Sequence, residues 1–300
     1  VEVRIASLDD PSRALPGTEY YRVDLMDFAN CIKVCQGMDY VFHLVGVKGS
    51  PAVIMKKAAT VFVSHIRFNT NMMEAARICG VERYLYTSTV GVYSPAEVFY
   101  EDDVWKTFPS RNDWYAGWAK RMGELQAEAY KDEYGWDKVA IVRPANVYGS
   151  YDNFDPDNAM VIPSLIKRAI DGENPFVVWG DGSAIRDFIH AEDVARGMLI
   201  AIEKGLGKAI NLGSGLGISI KEIVNIITRN MKTPPKVVWD TSRPSGDKKR
   251  VMDISRATAM GFKPRISIEQ GIKEVMSWYQ ENKDVAKNRF NVFTPLEKET

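Results

Sequence analysis

Through the first half of the chain, short apolar runs alternate with longer stretches whose apolar positions recur at helical spacing. In order they read VEVRIAS, DFANCIKVCQ, DYVFHLVGV, HIRFNTNMMEAARICG, ERYLYTST, WAKRMGELQAEAYKDEYG and KVAIVRPANVYG. This alternation predicts a doubly wound α/β fold, a parallel sheet covered by helices on both faces. Gly80 and Gly135 mark helix stops. From Ser150 the pattern changes: Asp, Asn and Pro cluster from Tyr151 to Pro163, and turns recur at Pro234–Pro235 and Pro244–Gly246. A smaller mixed α/β lobe is expected there. HAEDVARGMLIAIEKG and KAINLGS read as a helix and a strand that return to the sheet. The expected division is therefore 1–149 with 187–213 as the sheet domain, 150–186 with 214–290 as the lobe, and 291–300 as a polar tail.

Composition narrows the partners. The 39 basic and 39 acidic residues cancel, so bulk charge points to neither nucleic acid nor an anionic membrane. No apolar run reaches membrane-spanning length. Cys31, Cys35 and Cys79 form no CxxC and lie beside no histidine at metal spacing, so ordinary core use, no metal and a reduced, cytoplasmic setting are expected.

The densest chemistry lies between Arg143 and Asp193, in RPANVYGSYDNFDPDNAMVIPSLIKR followed by VVWGDGSAIRDFIHAED. A strand end, a polar loop, a basic helix and a second strand in this order suit the grip of a nucleotide diphosphate. Guanidinium forks match phosphate geometry best, which makes Arg168 and Arg186 the candidate clamps, with Trp179 offering a face for a base. The competing reading makes Lys167–Arg168 a solvated helix face and Arg186–Asp187 a surface ion pair.

A doubly wound sheet that binds a dinucleotide normally opens on a strand, a glycine-rich turn and a helix N-terminus. VEVRIAS is preceded by no such unit, and the expectation is that the first βα unit is absent from this chain. GSGLG at Gly213–Gly217 lacks the third glycine at the required spacing and reads as a strand-to-helix turn. VEVRIAS then supplies the second strand, ending at Ser7, with Arg13 shortly after. A hydroxyl and a guanidinium favour the 2′-phosphate of NADP, while Asp9 and Asp10 favour NAD. Asp24 and Leu25 are expected to border the adenine, and Leu44 and Gly46 to lie against the cofactor at the end of the next strand.

DYVFHLVG, TSTVGVYS, the Lys120 helix, RPANVYG, RDFIHAEDVA, NLGSG and RPSGDKKRVMDISRA, taken in this order, resemble the extended short-chain dehydrogenase/reductase family, the nucleotide-sugar epimerases and dehydratases. The likeness covers nearly the whole chain from the second strand onward. Within the family the pattern is most similar to the GDP-L-fucose synthase branch. That resemblance implies that Arg168, Trp179, Arg186 and Arg250 hold a GDP-linked sugar, that Lys48 and Asn146 join them, and that the stretch Asn153–Asn158 matches the branch. It also implies an NAD(P) cofactor and a homodimer formed by two helices, whose Met72, Met73, Met122 and Leu125 exceed the needs of one sheet face.

Hydride transfer at a sugar carbon needs a proton moved at its oxygen. The family uses a tyrosine one helical turn before a lysine, with a Ser or Thr steadying the oxygen. Thr89 and Lys120 match, but the tyrosine position holds Ala116. Tyr115 stands one residue earlier, about 140° round a helix from Lys120, and serves only if the helix starts late or bulges. The branch's epimerising cysteine and histidine are replaced by Gly91 and Met160. His190 reads as structural. Three functions follow: an oxidoreductase acting on a GDP-hexose or deoxyhexose, a GDP-sugar-binding protein without turnover, or an authentic synthase with another proton donor.

Overall fold

The computed structural model describes residues 1–47, 54, 56–156, 158–243, 246–286, 290 and 293; Lys48 and the tail apart from Phe293 lie outside the described residues. The first half contains β1 (Arg4–Ser7), β2 (Glu19–Arg22), α1 (Phe28–Cys35), β3 (Tyr40–His43), α2 (Ala58–Ile78), β4 (Arg83–Thr87), α3 (Trp114–Tyr134), β5 (Val139–Pro144) and β6 (Asn146–Tyr148). The second half contains α4 (Val161–Ile170), β7 (Phe176–Trp179), β8 (Ile185–Arg186), β9 (Phe188–His190), α5 (Ala191–Lys204), β10 (Ala209–Leu212), β11 (Ile218–Ser219), α6 (Ile220–Arg229), β12 (Val237–Asp240), β13 (Lys249–Arg250), α7 (Ser255–Ala259), α8 (Ile268–Glu281) and α9 (Lys283–Ala286).

The central sheet is parallel throughout, in the order β10–β5–β4–β3. A separate parallel pair, β1 with β2, belongs to the same half. Among the described residues β1 pairs only with β2 and β3 only with β4, so each keeps one edge without a strand partner. The expected doubly wound α/β class is correct. Gly135 closes α3 with a left-handed φ of 63°, and Gly80, at φ 73°, ends α2 in the same way.

Three apolar cores follow from the layers. One face of the sheet carries α1, α2 and α3, with Cys31, Cys35, Phe68, Met73, Tyr84 and Tyr86 packed together. The opposite face carries α5, and its core includes Leu85, Val142, Ile202 and Leu212. Met252, Ala257 and Phe262 join this second core, although the sequence reading put them in the lobe. The lobe has its own core of Ile162, Ile166, Phe176, Ile223, Ile227 and Tyr279. Met72 and Met73, expected to face a partner subunit, are instead inside the first core at 5% and 0% exposure; of that group Leu125 faces outward. The helical period gives α2 two buried flanks here, because α1 packs on one and the sheet on the other.

The helix that carries Lys120 is fixed by a buried polar network. Arg143 on β5 and Glu124 on α3 form a bidentate pair, Nε to Oε1 at 3.0 Å and Nη2 to Oε2 at 2.7 Å, with both side chains almost fully excluded from water. Ser88 Oγ donates to Glu124 at 2.5 Å. Arg143 also donates to the Tyr93 hydroxyl and the Glu101 carbonyl, and Tyr93 donates to Asn211 on β10 at 2.6 Å. Such a pair is costly to break because one charge is left buried alone. Glu124→Leu should therefore cost about 3–5 kcal/mol in urea unfolding, and the double variant Glu124→Leu/Arg143→Met should cost less than the single one. A single-variant loss below about 1 kcal/mol would show that the pair is not desolvated.

Candidate active site

Lys120 sits at the C-terminal end of the sheet. Its Nζ donates to the carbonyls of Thr87, at 2.8 Å, and Val45, at 3.2 Å, and its side chain is buried. Burial pushes its pKa down to about 7, with Glu124 acting in the opposite sense. Two imidazoles lie near it. His43 Nε2 meets Asn69 Oδ1 at 2.8 Å, and His65 donates from Nδ1 to the Val61 carbonyl while its Nε2 accepts from Val47 N–H. Burial first, and the Lys120 charge second, push each histidine down to about 3. Both imidazoles are accordingly neutral at any pH above about 3, through the range in which Lys120 loses its proton.

Thr89 caps a single 3-10 turn, Val90–Val92, by accepting from Gly91 N–H at 3.2 Å. The start of α3 lies directly against this turn: a Cβ on Gly117 would come within 2.4 Å of the Gly91 carbonyl. α3 runs unbroken from Trp114, so neither a late start nor a bulge brings Tyr115 round; it is 41% exposed and does not share the Lys120 face. The condition on which Tyr115 could act as acid/base is not met. Asp113, the N-cap of α3, lies against the Gly91 turn instead. Its carboxyl fills the space beside Gly91, where an added Cβ would meet Asp113 Cβ at 3.0 Å and Cγ at 3.2 Å. A cysteine at position 91 would need Asp113 to move.

The two arginines come together through strand register. β8 lies between β11 and β13, and Arg186 pairs directly with Arg250 across the parallel β8–β13 ladder. Register partners put their side chains on one face. Burial and then the Arg250 charge lower the Arg186 pKa. Arg250 is balanced by Asp247, which accepts from its Nε at 2.9 Å and is also bonded by Nη2, and by Asp113 at 2.6 Å. Asp187 is not the ion-pair partner of Arg186 that one reading supposed. It accepts backbone N–H groups from Ser214, Gly215 and Met252, fixing the GSG turn beneath the site.

The remaining expected residues are dispersed. Arg168 bonds Glu173 and the Val177 carbonyl, which leaves it neither free nor beside Arg250 in the ladder. Trp179 is 56% exposed at the end of β7, with the Arg243 guanidinium 5.3 Å above its ring. Asn146 donates to the Asp187 carbonyl at 2.8 Å. His190 caps α5, accepting from Glu192 N–H at 3.4 Å. On the cofactor side, Ser7 accepts from Asp9 N–H, Arg13 reaches the Val285 carbonyl, and Asp24 accepts from Met26 N–H. Leu25, expected to border the adenine, has its side chain in the core at 7% exposure. Leu44, at 59% exposure, and Gly46, where a Cβ would meet only His65 at 3.8 Å, remain open.

Residues 3–213 match the NAD dependent epimerase/dehydratase family. The chain belongs to it. A probable GDP-L-fucose synthase 1 of Oryza sativa is 32% identical over 75% of this chain and 70% of its own length. A dTDP-4-dehydro-6-deoxy-D-allose reductase from Streptomyces is 30% identical over 82% of this chain and 76% of its own length. The UDP-glucose 4-epimerase of Thermotoga maritima superposes with a TM-score of 0.81 at 23% identity, over 94% of this chain and 92% of that one, a likeness of fold.

For a member of this family the fit of a nicotinamide cofactor can be judged at Lys120. Two of the three ammonium protons point at carbonyls, and the third is available for a ribose hydroxyl. Leu44 and Gly46 border the same strand end. The nicotinamide–ribose end therefore fits, whereas no glycine-rich turn for the cofactor diphosphate occurs among the described residues. Sequence reasoning missed Asp113 and Asp247. Asp247 stands inside RPSGDKKR, yet only the basic residue of that motif drew attention.

Lys120 also sets a pH dependence. Its pKa falls from 10.5 unfolded to about 7 folded, so the unfolded chain holds more protons between these values. Stability should therefore rise as pH climbs through that window. Lys120→Met should exceed the parent in urea midpoint at pH 7, with the gap closing towards pH 10.5. The histidines act at the other end, and stability should fall as pH drops from 6.5 towards 3. A Lys120→Met variant no more stable than the parent at pH 7 would contradict the buried-ammonium account.

Proposed function

We propose that this chain binds a nucleotide-diphosphate sugar, GDP-linked, with its phosphates against Arg186 and Arg250 and its sugar between Thr89 and Lys120. The observation that carries this reading is the register pairing of two half-buried arginines beside the helix that bears Lys120. Two adjacent guanidiniums out of water need anionic charge, which Asp113 and Asp247 provide from within the chain and which a diphosphate would provide with matched geometry. The GDP-L-fucose synthases among the relatives support the choice of guanosine. The bound cofactor, NADP in our reading because of Ser7 and Arg13, supplies or accepts a hydride. Thr89 orients the sugar oxygen, and Lys120 binds the ribose and stabilises negative charge at that oxygen. The outward Leu125 face of α3 supports a homodimer.

A second reading follows from Ala116. With no hydroxyl one turn before Lys120, and with Gly91 and Met160 unable to exchange protons, the protein would bind the same ligand with little or no turnover. Steady NADPH oxidation in the presence of a GDP-4-keto-6-deoxyhexose would exclude it. Deuterium incorporation at both carbons flanking the ketone would instead revive full epimerisation.

Arg186→Ala should weaken GDP-sugar binding by about 2–5 kcal/mol in calorimetry. A change within about 0.5 kcal/mol would return this arginine to the role of a solvated surface group. Ala116→Tyr should raise the rate of NADPH oxidation at least about 100-fold, the usual contribution of a positioned acid. An unchanged rate would place the proton donor elsewhere.

A further inference from the structure

Arg250 already has anionic company. Its guanidinium is held between Asp247 and Asp113, and only 12% of its side chain remains exposed. The two carboxylates are not equivalent. Asp247 accepts from Asn112 Nδ2 at 2.7 Å and from Ser110 Oγ at 3.1 Å besides the arginine, and its side chain is as buried as that of Arg250. These donors fix it whatever Arg250 does. Asp113 has weaker anchorage. Its Oδ2 has the Arg250 guanidinium, 2.6 Å away, as its ion-pair partner and no second donor among the described residues. Its side chain is 29% exposed and makes no capping bond to α3.

We infer that Asp113 is a specificity-determining residue that serves as a displaceable counter-anion. It occupies Arg250 in the empty site and yields it only to a ligand whose charge is that of a diphosphate. The inference rests on the nucleotide-sugar reading of the arginine pair. Among the described residues two cations face two carboxylates, so an arriving anion competes with the chain's own carboxylates until one of them leaves. A diphosphate can bridge Arg186 and Arg250 and replace the Asp113 charge, with Asp247 staying in place to hold the guanidinium plane. A monophosphate spans less and competes poorly. Removing the Asp113 charge should therefore strengthen anion binding generally and erode the preference for two phosphates. That is the reverse of what loss of an ordinary binding residue does.

The test is calorimetric titration of the chain with GDP and with GMP, in parallel for the parent, Asp113→Asn, Asp113→Ala and Asp247→Asn, each checked by circular dichroism. Both Asp113 variants should bind GDP about tenfold more tightly than the parent, and GMP by a larger factor still. Asp247→Asn should bind GDP no more tightly than the parent. If the parent binds GDP and both Asp113 variants bind it equally or more weakly, the exchange is wrong while the nucleotide reading stands. If the parent binds neither GDP nor GMP while Asp113→Asn also binds neither, the nucleotide reading itself falls. Two Asp113 substitutions guard against one that misfolds.

Discussion

A guanidinium and a carboxylate buried together behind the sheet decide where everything else in the site can be. Arg143 is part of β5 and Glu124 part of α3, so their bidentate bond pins the helix to the strand at one height and one rotation. Glycines then let the helix come close: a Cβ on Gly123 would fall 2.2 Å from the Tyr86 hydroxyl, and Gly117 allows the touch on the Gly91 turn. The same helix carries Ala116, Lys120 and Glu124 on one stripe, because four residues return within about 40° of the starting face, and Asp113 stands at its N-cap. One rigid element thus joins core and chemistry.

The buried Lys120 is met by carbonyls and neutral imidazoles and is easily deprotonated. The arginine end of the site is close to electrical balance, since Arg186 and Arg250 face Asp113 and Asp247. Balance of this kind allows charged groups to be buried without a ligand, at the cost of making the ligand compete with the protein's own groups. The arginine end is thus fully charged but self-satisfied. The other end has Lys120 and Thr89, with Ala116 in place of an aromatic hydroxyl one turn before the lysine.

The fold was legible because alternation of short apolar runs and helical stretches is dictated by burial on both faces of a parallel sheet, and the glycine stops at 80 and 135 were read from the same logic. Lys120, Thr89, Arg186 and Arg250 were picked out by the order of short motifs, and strand register does bring Arg186 beside Arg250. What failed was what depends on neighbours. Met72 and Met73 looked surplus along the helix, but α1 supplies the second surface that buries them. Leu25 looked like a ligand contact by position, while its side chain points into that core. Tyr115 was undecided until the start of α3 was known. Asp113 carried no signal at all, since its importance comes from the absence of a side chain at Gly91, on a segment more than twenty residues away in the chain.

The division of the sheet has a mechanical consequence. With β1–β2 and β3–β4–β5–β10 sharing no ladder bond among the described residues, the two groups of strands are joined through side chains: α1 packs against α2, and Arg67 and Asn71 of α2 donate to the Met26 carbonyl just beyond β2. Alignment of the strand pair thus depends on these two donors as well as on packing.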